Sequence, residues 1–259
     1  MTHRITFALQ KGGVGKTSST VAVSEVLAAA GYKVLVVDFD SQGNATKMLT
    51  RSSIYRYSGH TIMEAIRDRN ADPYIRNVRE GLDLIPAEDK LATFSRYIYT
   101  TKIDNPYAVL KRILEPVEDR YDFVFVDVGP ELGDNMINAI IYADRIFIPM
   151  DTGDFAMDSM VRFIEFVDDT RAEGHTNAVI DGILLTMRDA RSTRYERDIA
   201  DGLREAYGDL VFNAEIHRRV KIKEMASDGI DINAPAMGDY VDLTEEILER
   251  TGMKEGHHE

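Results

Sequence analysis

The sequence predicts an α/β fold, a single doubly wound and mostly parallel sheet of about seven or eight strands flanked by helices. Three observations carry this. Runs such as Lys33-Val34-Leu35-Val36-Val37-Asp38 are continuously apolar, as in strands covered on both faces. A glycine-rich turn stands between the first such run and a helical spacing, as a phosphate-binding loop requires. Two later runs end in aspartate, and open α/β sheets carry their chemistry at the carboxyl ends of their strands.

Taken in order, Ile5-Thr6-Phe7-Ala8-Leu9 reads as a buried strand, and Thr20 to Ala30 as a helix. Between them lies Gln10-Lys11-Gly12-Gly13-Val14-Gly15-Lys16-Thr17-Ser18. Its glycines let backbone N–H groups curl around a phosphate, and the helix N-terminus adds partial positive charge. Lys16 is placed to reach the β- and γ-phosphates and the Thr17 hydroxyl to ligate Mg²⁺. The second strand, Lys33 to Asp38, leads into Asp38-Phe39-Asp40-Ser41-Gln42-Gly43-Asn44-Ala45-Thr46. Thr61 and Glu64 form the capping box of a helix start, Leu82 to Ala87 reads as a strand, and Pro106 to Leu114 as an amphipathic helix with proline near its first turn. Tyr121-Asp122-Phe123-Val124-Phe125-Val126-Asp127 is a buried strand ending in an acid, and Asp127 is expected to hold Mg²⁺ opposite Thr17. A helix over 134–142, a strand over 145–150, a long helix over 155–171 and a strand over 178–187 follow.

The loop departs from GxxxxGK[ST]: position 10 is Gln10, and a second lysine, Lys11, heads the turn. This is the deviant Walker A form, and here the chain resembles the ParA/MinD family of ATPases, which position DNA, septa or other cargo. The resemblance covers nearly the whole chain. It extends to the stretch from Asp38 to Thr46, with Ser41 where relatives have proline, and to Leu184-Leu185-Thr186-Met187-Arg188-Asp189-Ala190-Arg191. It implies a P-loop NTPase fold that takes ATP and Mg²⁺ at 11–18, with Lys11 crossing a homodimer interface to the partner's nucleotide. It also implies Asp40 as the group that orients or deprotonates the attacking water, and Asp38 as support for the metal shell. Met187, Arg188, Ile216 and His217 are implied near the adenine, although relatives usually have proline where His217 stands. After Asp127 this chain reads Val128-Gly129-Pro130 where relatives have Thr-Pro-Pro.

With 259 residues, 44% of them apolar, the chain has the length and composition of one soluble α/β domain, expected over 1–252 with a flexible tail over 253–259. It has no cysteine, which excludes disulfides and thiolate metal sites. No apolar run is long enough for a membrane span, and Met1-Thr2-His3-Arg4 leads directly into the first strand, so neither a signal peptide nor an N-terminal DNA-reading motif is expected. A cytoplasmic protein is expected, nucleoid-associated when it holds ATP. The terminal stretch is too acidic for a membrane-binding helix of the MinD kind.

The net charge of −13 argues against nucleic acid taken globally, but the cations are unevenly placed. Arg188, Arg191, Arg194 and Arg197 recur every three residues, and His217-Arg218-Arg219-Val220-Lys221-Ile222-Lys223 contains no acid. Both stretches fall where ParA-like dimers present DNA-binding surface. The resemblance therefore implies non-specific contact with double-stranded DNA through Arg188, Arg191, Arg194, Arg218, Arg219, Lys221 and Lys223. It further implies a ParB-like centromere-binding adaptor and a role in plasmid or chromosome segregation. Two alternatives stay open: a related positioning ATPase with a protein cargo, and a non-catalytic protein whose interactions depend on nucleotide.

Overall fold

A computed structural model of the chain describes residues 1–153, 156–188, 193–218 and 231–253. Eight strands form one sheet in the order β3-β4-β2-β5-β1-β6-β7-β8. They are β1 (His3–Phe7), β2 (Val34–Asp38), β3 (Arg76–Arg79), β4 (Leu82–Ile85), β5 (Phe123–Asp127), β6 (Arg145–Met150), β7 (Val179–Arg188) and β8 (Val211–His217). Every pairing is parallel except that of β3 with β4.

Alternate residues of each central strand serve two cores, which is why the strands read as unbroken apolar runs. Val34 and Val36 of β2, with Phe123 and Phe125 of β5, face one core, which is closed by α1 (Lys16–Ala29), α2 (Asn44–Thr50) and α9 (Gly238–Thr251). Leu35, Val37, Val124 and Val126 face the other. That side is covered by α3 (Ile62–Asp68), α4 (Phe94–Thr100), α5 (Val109–Glu118), α6 (Asp134–Tyr142), α7 (Ala156–Ala172) and α8 (Arg194–Tyr207). The chain leaving β1 enters α1 on one face, while the chain leaving its neighbour β5 enters α6 on the other. The connections part there, and a crevice opens at the carboxyl ends of the two strands.

The capping box at Thr61 and Glu64 forms as the sequence predicts. Helix α5 begins at Val109, so Pro106 lies before it, and Pro116 is accommodated near its end. The strands β3 and β8 and the helix α9 had no clear sequence signal. β3 is short and polar, with a register irregularity between Asn77 and Arg79; it is tied to the sheet's cover by Arg79, which pairs with the buried Glu25 of α1. At the opposite edge, the backbone N–H groups of Asn213 and Ala214 in β8 donate to the Glu246 carboxylate of α9, at 2.9 and 2.6 Å.

The α9 side holds an aromatic row across the sheet: Phe7 meets Phe147 with centroids 5.4 Å apart, and Phe147 meets Phe212 at 5.1 Å. The Arg250 guanidinium covers the outer Phe212 ring at 4.3 Å. A Cβ on Gly182 would overlap the Phe212 ring, with Cζ only 2.7 Å away. Because Phe212 is confined by Phe147 and Arg250, it has little freedom to withdraw. Gly182→Ala is therefore expected to cost about 1–3 kcal/mol. Urea unfolding checks this as a lower midpoint at unchanged slope.

Candidate nucleotide site

The loop after β1 wraps into α1, a helix of 14 residues whose N-cap is Gly15. No side chain caps it and its first turn holds no acid, so its first N–H groups and its dipole are left to an anion. Gly15 takes φ of 86°, in the left-handed region where a side chain would be strained. The Thr186 hydroxyl of β7 donates to the Val14 carbonyl at 2.9 Å and pins the loop to the sheet.

This loop borders a cavity of about 320 Å³, reached by Gly12, Gly13, Gly15, Lys16, Thr17 and Ser18 from one side and by Asp40, Gly129 and Met187 from others. Val14 is fully buried and does not line it. Lys16 is 6% exposed and its Nζ donates to the Lys11 carbonyl at 2.6 Å. Burial lowers its pKa, opposed by Asp127 and Asp40. Lys11 does not line the cavity formed by its own loop; its Nζ lies 2.6 Å from Asp151 Oδ1, just beyond β6.

Asp38 and Asp127 are register partners at the ends of β2 and β5, and both are fully buried. They differ in what holds them. Asp38 Oδ2 accepts from the Thr46 N–H and hydroxyl, each at 2.7 Å, and Oδ1 accepts from the Asp40 N–H at 3.3 Å. The Thr46 hydroxyl in turn accepts from the Ala87 N–H at 2.9 Å. Asp38 thus anchors its own loop, held beside Asp127 by its bonds from Thr46 and Asp40. Burial nevertheless pushes its pKa up to about 6. Neither oxygen of Asp127 has a hydrogen-bond partner of good geometry. Burial, then the adjacent Asp38, pushes its pKa well above the usual carboxylate range, while the nearby Thr17 hydroxyl and Lys16 pull the other way. Two neighbouring buried carboxylates, one of them with orphaned oxygens, fit a divalent cation held between Asp127 and Thr17.

Asp40 lies at the cavity, its Oδ1 accepting from the Gln42 N–H at 3.0 Å. Gly43 makes this loop possible: φ is 60°, and a Cβ there would meet Ile54 and the Ala87 carbonyl. Met187 also takes a left-handed φ, 55°, which is strained for a side chain of its size, and it borders the cavity from the end of β7.

The remaining expected residues divide. His217 follows Arg188 across the β7–β8 pairing, with its N–H on Asp239 at 2.9 Å and its ring nitrogen 3.2 Å from the same oxygen. The Ile216 side chain, 2% exposed, packs into the core. Arg188 is 7% exposed: its Nε donates to Glu215 at 3.0 Å, and Glu215 also accepts from Arg204 at 2.7 Å. Arg188 was expected to meet DNA; its guanidinium is instead largely buried and shares the Glu215 carboxylate with Arg204. Arg194 and Arg218 are exposed. Arg191, Arg219, Lys221 and Lys223 lie outside the described residues, as do Phe155 and the tail beyond Met253. Asp151 was missed, although an acid directly follows β6 much as acids end β2 and β5; that near repetition was the available signal.

A family described as an AAA domain matches residues 2–180. The chain is 33% identical to the chromosome-partitioning ATPase Soj of Treponema pallidum, over 98% of this chain and 100% of that one. The chain belongs to the Soj/ParA family of partitioning ATPases. The sporulation initiation inhibitor protein Soj of Bacillus subtilis is 32% identical over 92% of this chain and 95% of its own. Among solved structures, a putative plasmid partition protein of Borrelia burgdorferi bound to AMPPNP superposes with a TM-score of 0.83 at 26% identity, covering 96% of this chain and all of that one. Membership of the Soj/ParA family accords with the phosphate loop and with the acids ending β2 and β5. No helix among the described residues is long and apolar enough to cross a membrane.

Proposed function

We infer that the chain is an ATP-hydrolysing switch that dimerises with ATP, binds DNA without sequence preference in that state, and is reset by hydrolysis under a ParB-like adaptor. The observation that carries this reading is the division of labour between the two lysines. Lys16 lines the cavity and would serve the nucleotide of its own subunit; Lys11 does not line it, rests on Asp151 and would serve another. The uncapped α1 would take the β- and γ-phosphates, and Asp127 with Thr17 would hold Mg²⁺. Bound there, the metal supplies charge neutralisation for the transferred phosphoryl group. Asp40 would position the attacking water.

DNA contact would come from a confined basic face, since the chain carries a net charge of −13. The exposure of Arg194 and Arg218 supports such a face, to which Arg191, Arg219, Lys221 and Lys223 are assigned by sequence. Pairing two subunits would place both copies on one duplex and raise affinity through effective concentration. The test is a titration of unrelated duplexes at several salt concentrations, with ATP or ADP, using wild type and Arg219→Glu. Binding is expected only with ATP, equally to all sequences, with a log–log salt slope that flattens by about 0.9 for each phosphate that the variant no longer neutralises. Equal binding by the two proteins would reduce this stretch to a solvated surface. Absence of binding with ATP would favour a protein cargo instead.

A further inference from the structure

Gly129 stands two residues beyond Asp127, in the loop between β5 and α6, and borders the nucleotide cavity beside Asp40. A Cβ built on it would lie 3.2 Å from Asp40 Oδ2, 3.3 Å from Cγ and 3.4 Å from Oδ1. Near-equal distances to all three atoms place that position over the flat face of the carboxylate rather than at its edge. The Gln42 N–H holds Oδ1 at 3.0 Å. Asp40 is therefore held by a hydrogen bond to one oxygen, and the space over its face is the space a side chain at 129 would fill. The backbone of Gly129 is not in the left-handed region. Position 129 also precedes Pro130, which confines any residue to extended conformations. Nothing about the main chain calls for glycine at this point, and the three atoms nearest its missing side chain all belong to Asp40.

We propose that Gly129 is a positioning residue for hydrolysis: the absence of a side chain there lets the Asp40 carboxylate sit where it addresses the attacking water. This rests on the reading of Asp40 as the water-positioning group. A methyl group at 129 would shift the carboxylate by a few tenths of an ångström against its bond to Gln42, leaving the phosphate loop and Asp127 untouched. Geometry at a reacting centre is sensitive on this scale, so turnover should fall roughly 3- to 30-fold.

The experiment compares single-turnover phosphate release and ATP-analogue affinity for wild type, Gly129→Ala, Asp40→Ala and the double variant, with Gly129→Ser as a second way to add the same Cβ. The expected result is a slower chemical step in both glycine variants, with analogue affinity and melting temperature unchanged. On the Asp40→Ala background, Gly129→Ala should cause no further loss, because the group it displaces is gone. A wild-type rate in Gly129→Ala and Gly129→Ser overturns the proposal, as does an equal fractional loss on both backgrounds. A wild-type rate in Asp40→Ala overturns the underlying role of Asp40 and the proposal with it. Slow Asp40→Ala beside normal glycine variants overturns the proposal alone.

Discussion

Lys11→Ala is expected to abolish ATP-dependent self-association while leaving the monomer folded and able to bind ATP. The Lys11 ammonium pairs with Asp151 on the surface of its own subunit, and such a partly exposed pair contributes little to stability. Its removal should therefore leave the melting temperature nearly unchanged. In a dimer closed over nucleotide, the same ammonium would meet phosphate in a dry interface, where truncating one partner costs about 2–5 kcal/mol. That is a loss of roughly 30-fold or more in dimer affinity. Asp151→Ala should act in the opposite sense, because it releases Lys11 from its resting partner and lowers the concentration of ATP analogue needed for pairing. Light scattering with a slowly hydrolysed analogue reads both. Normal dimers of Lys11→Ala would remove the lysine from the interface, and weaker dimers of Asp151→Ala would show Asp151 to be part of the contact.

Asp127→Asn is expected to raise the melting temperature of the nucleotide-free protein at pH 8 and to abolish stabilisation by Mg²⁺ with nucleotide. The Asp127 carboxylate is buried beside Asp38 with no good hydrogen-bond partner, and a buried acceptor left unsatisfied costs about 1–3 kcal/mol. Both acids have folded-state pKa values above their ordinary value, so the folded chain holds protons that the unfolded chain releases. The contribution of this pair to stability is then greatest at acid pH. It falls as pH rises from about 4, through about 6 for Asp38 and higher for Asp127, and stays reduced above. Glu25, lifted to about 7 by burial against the pull of Arg79 and Arg51, acts in the same direction and would supply, with Asp38, the slope that remains in the variant. At about 2–4 °C per kcal/mol for a chain of this size, the gain amounts to several degrees. For wild type, the stabilisation by Mg²⁺ with nucleotide should be larger at pH 8 than at pH 5.5, where protons compete for the carboxylates. A fall in the melting temperature of Asp127→Asn at pH 8 would mean that the carboxylate already has a stabilising partner.

Much of this was legible in the sequence because the signals are local. The turn from Gln10 to Ser18 and the terminal acids of β2 and β5 declare themselves by residue type and order. The continuous strands follow from two-faced burial, which Val34 to Val37 show residue by residue. What escaped depends on interactions between distant segments. Arg188 reads in sequence as one of a row of surface cations, but its partner Glu215, on the neighbouring strand, draws it inside. That Asp38 also ties down its own loop depends on Thr46, eight residues on, whose N–H and hydroxyl both donate to it. β3 and β8 border the sheet, where pairing on one side only and a mixed environment weaken the apolar pattern. Nor does the sequence show that Gly129 lies against Asp40, since the two belong to loops after different strands.

The carboxylate that covers β8 has a bearing on assembly. An edge strand is a template for any extended segment, and its free N–H groups are what such a segment would seize first. Glu246 occupies two of them in succession, at Asn213 and Ala214, and adds a negative charge at the boundary. A protein that is to join its own copy on a nucleotide signal needs its other self-adhesive surfaces silenced; otherwise the signalled union would compete with unregulated stacking into fibres. Fidelity of pairing would then rest as much on refusal at this border as on recognition at the phosphate loop, and a single carboxylate far from the chemistry would help keep association answerable to the nucleotide.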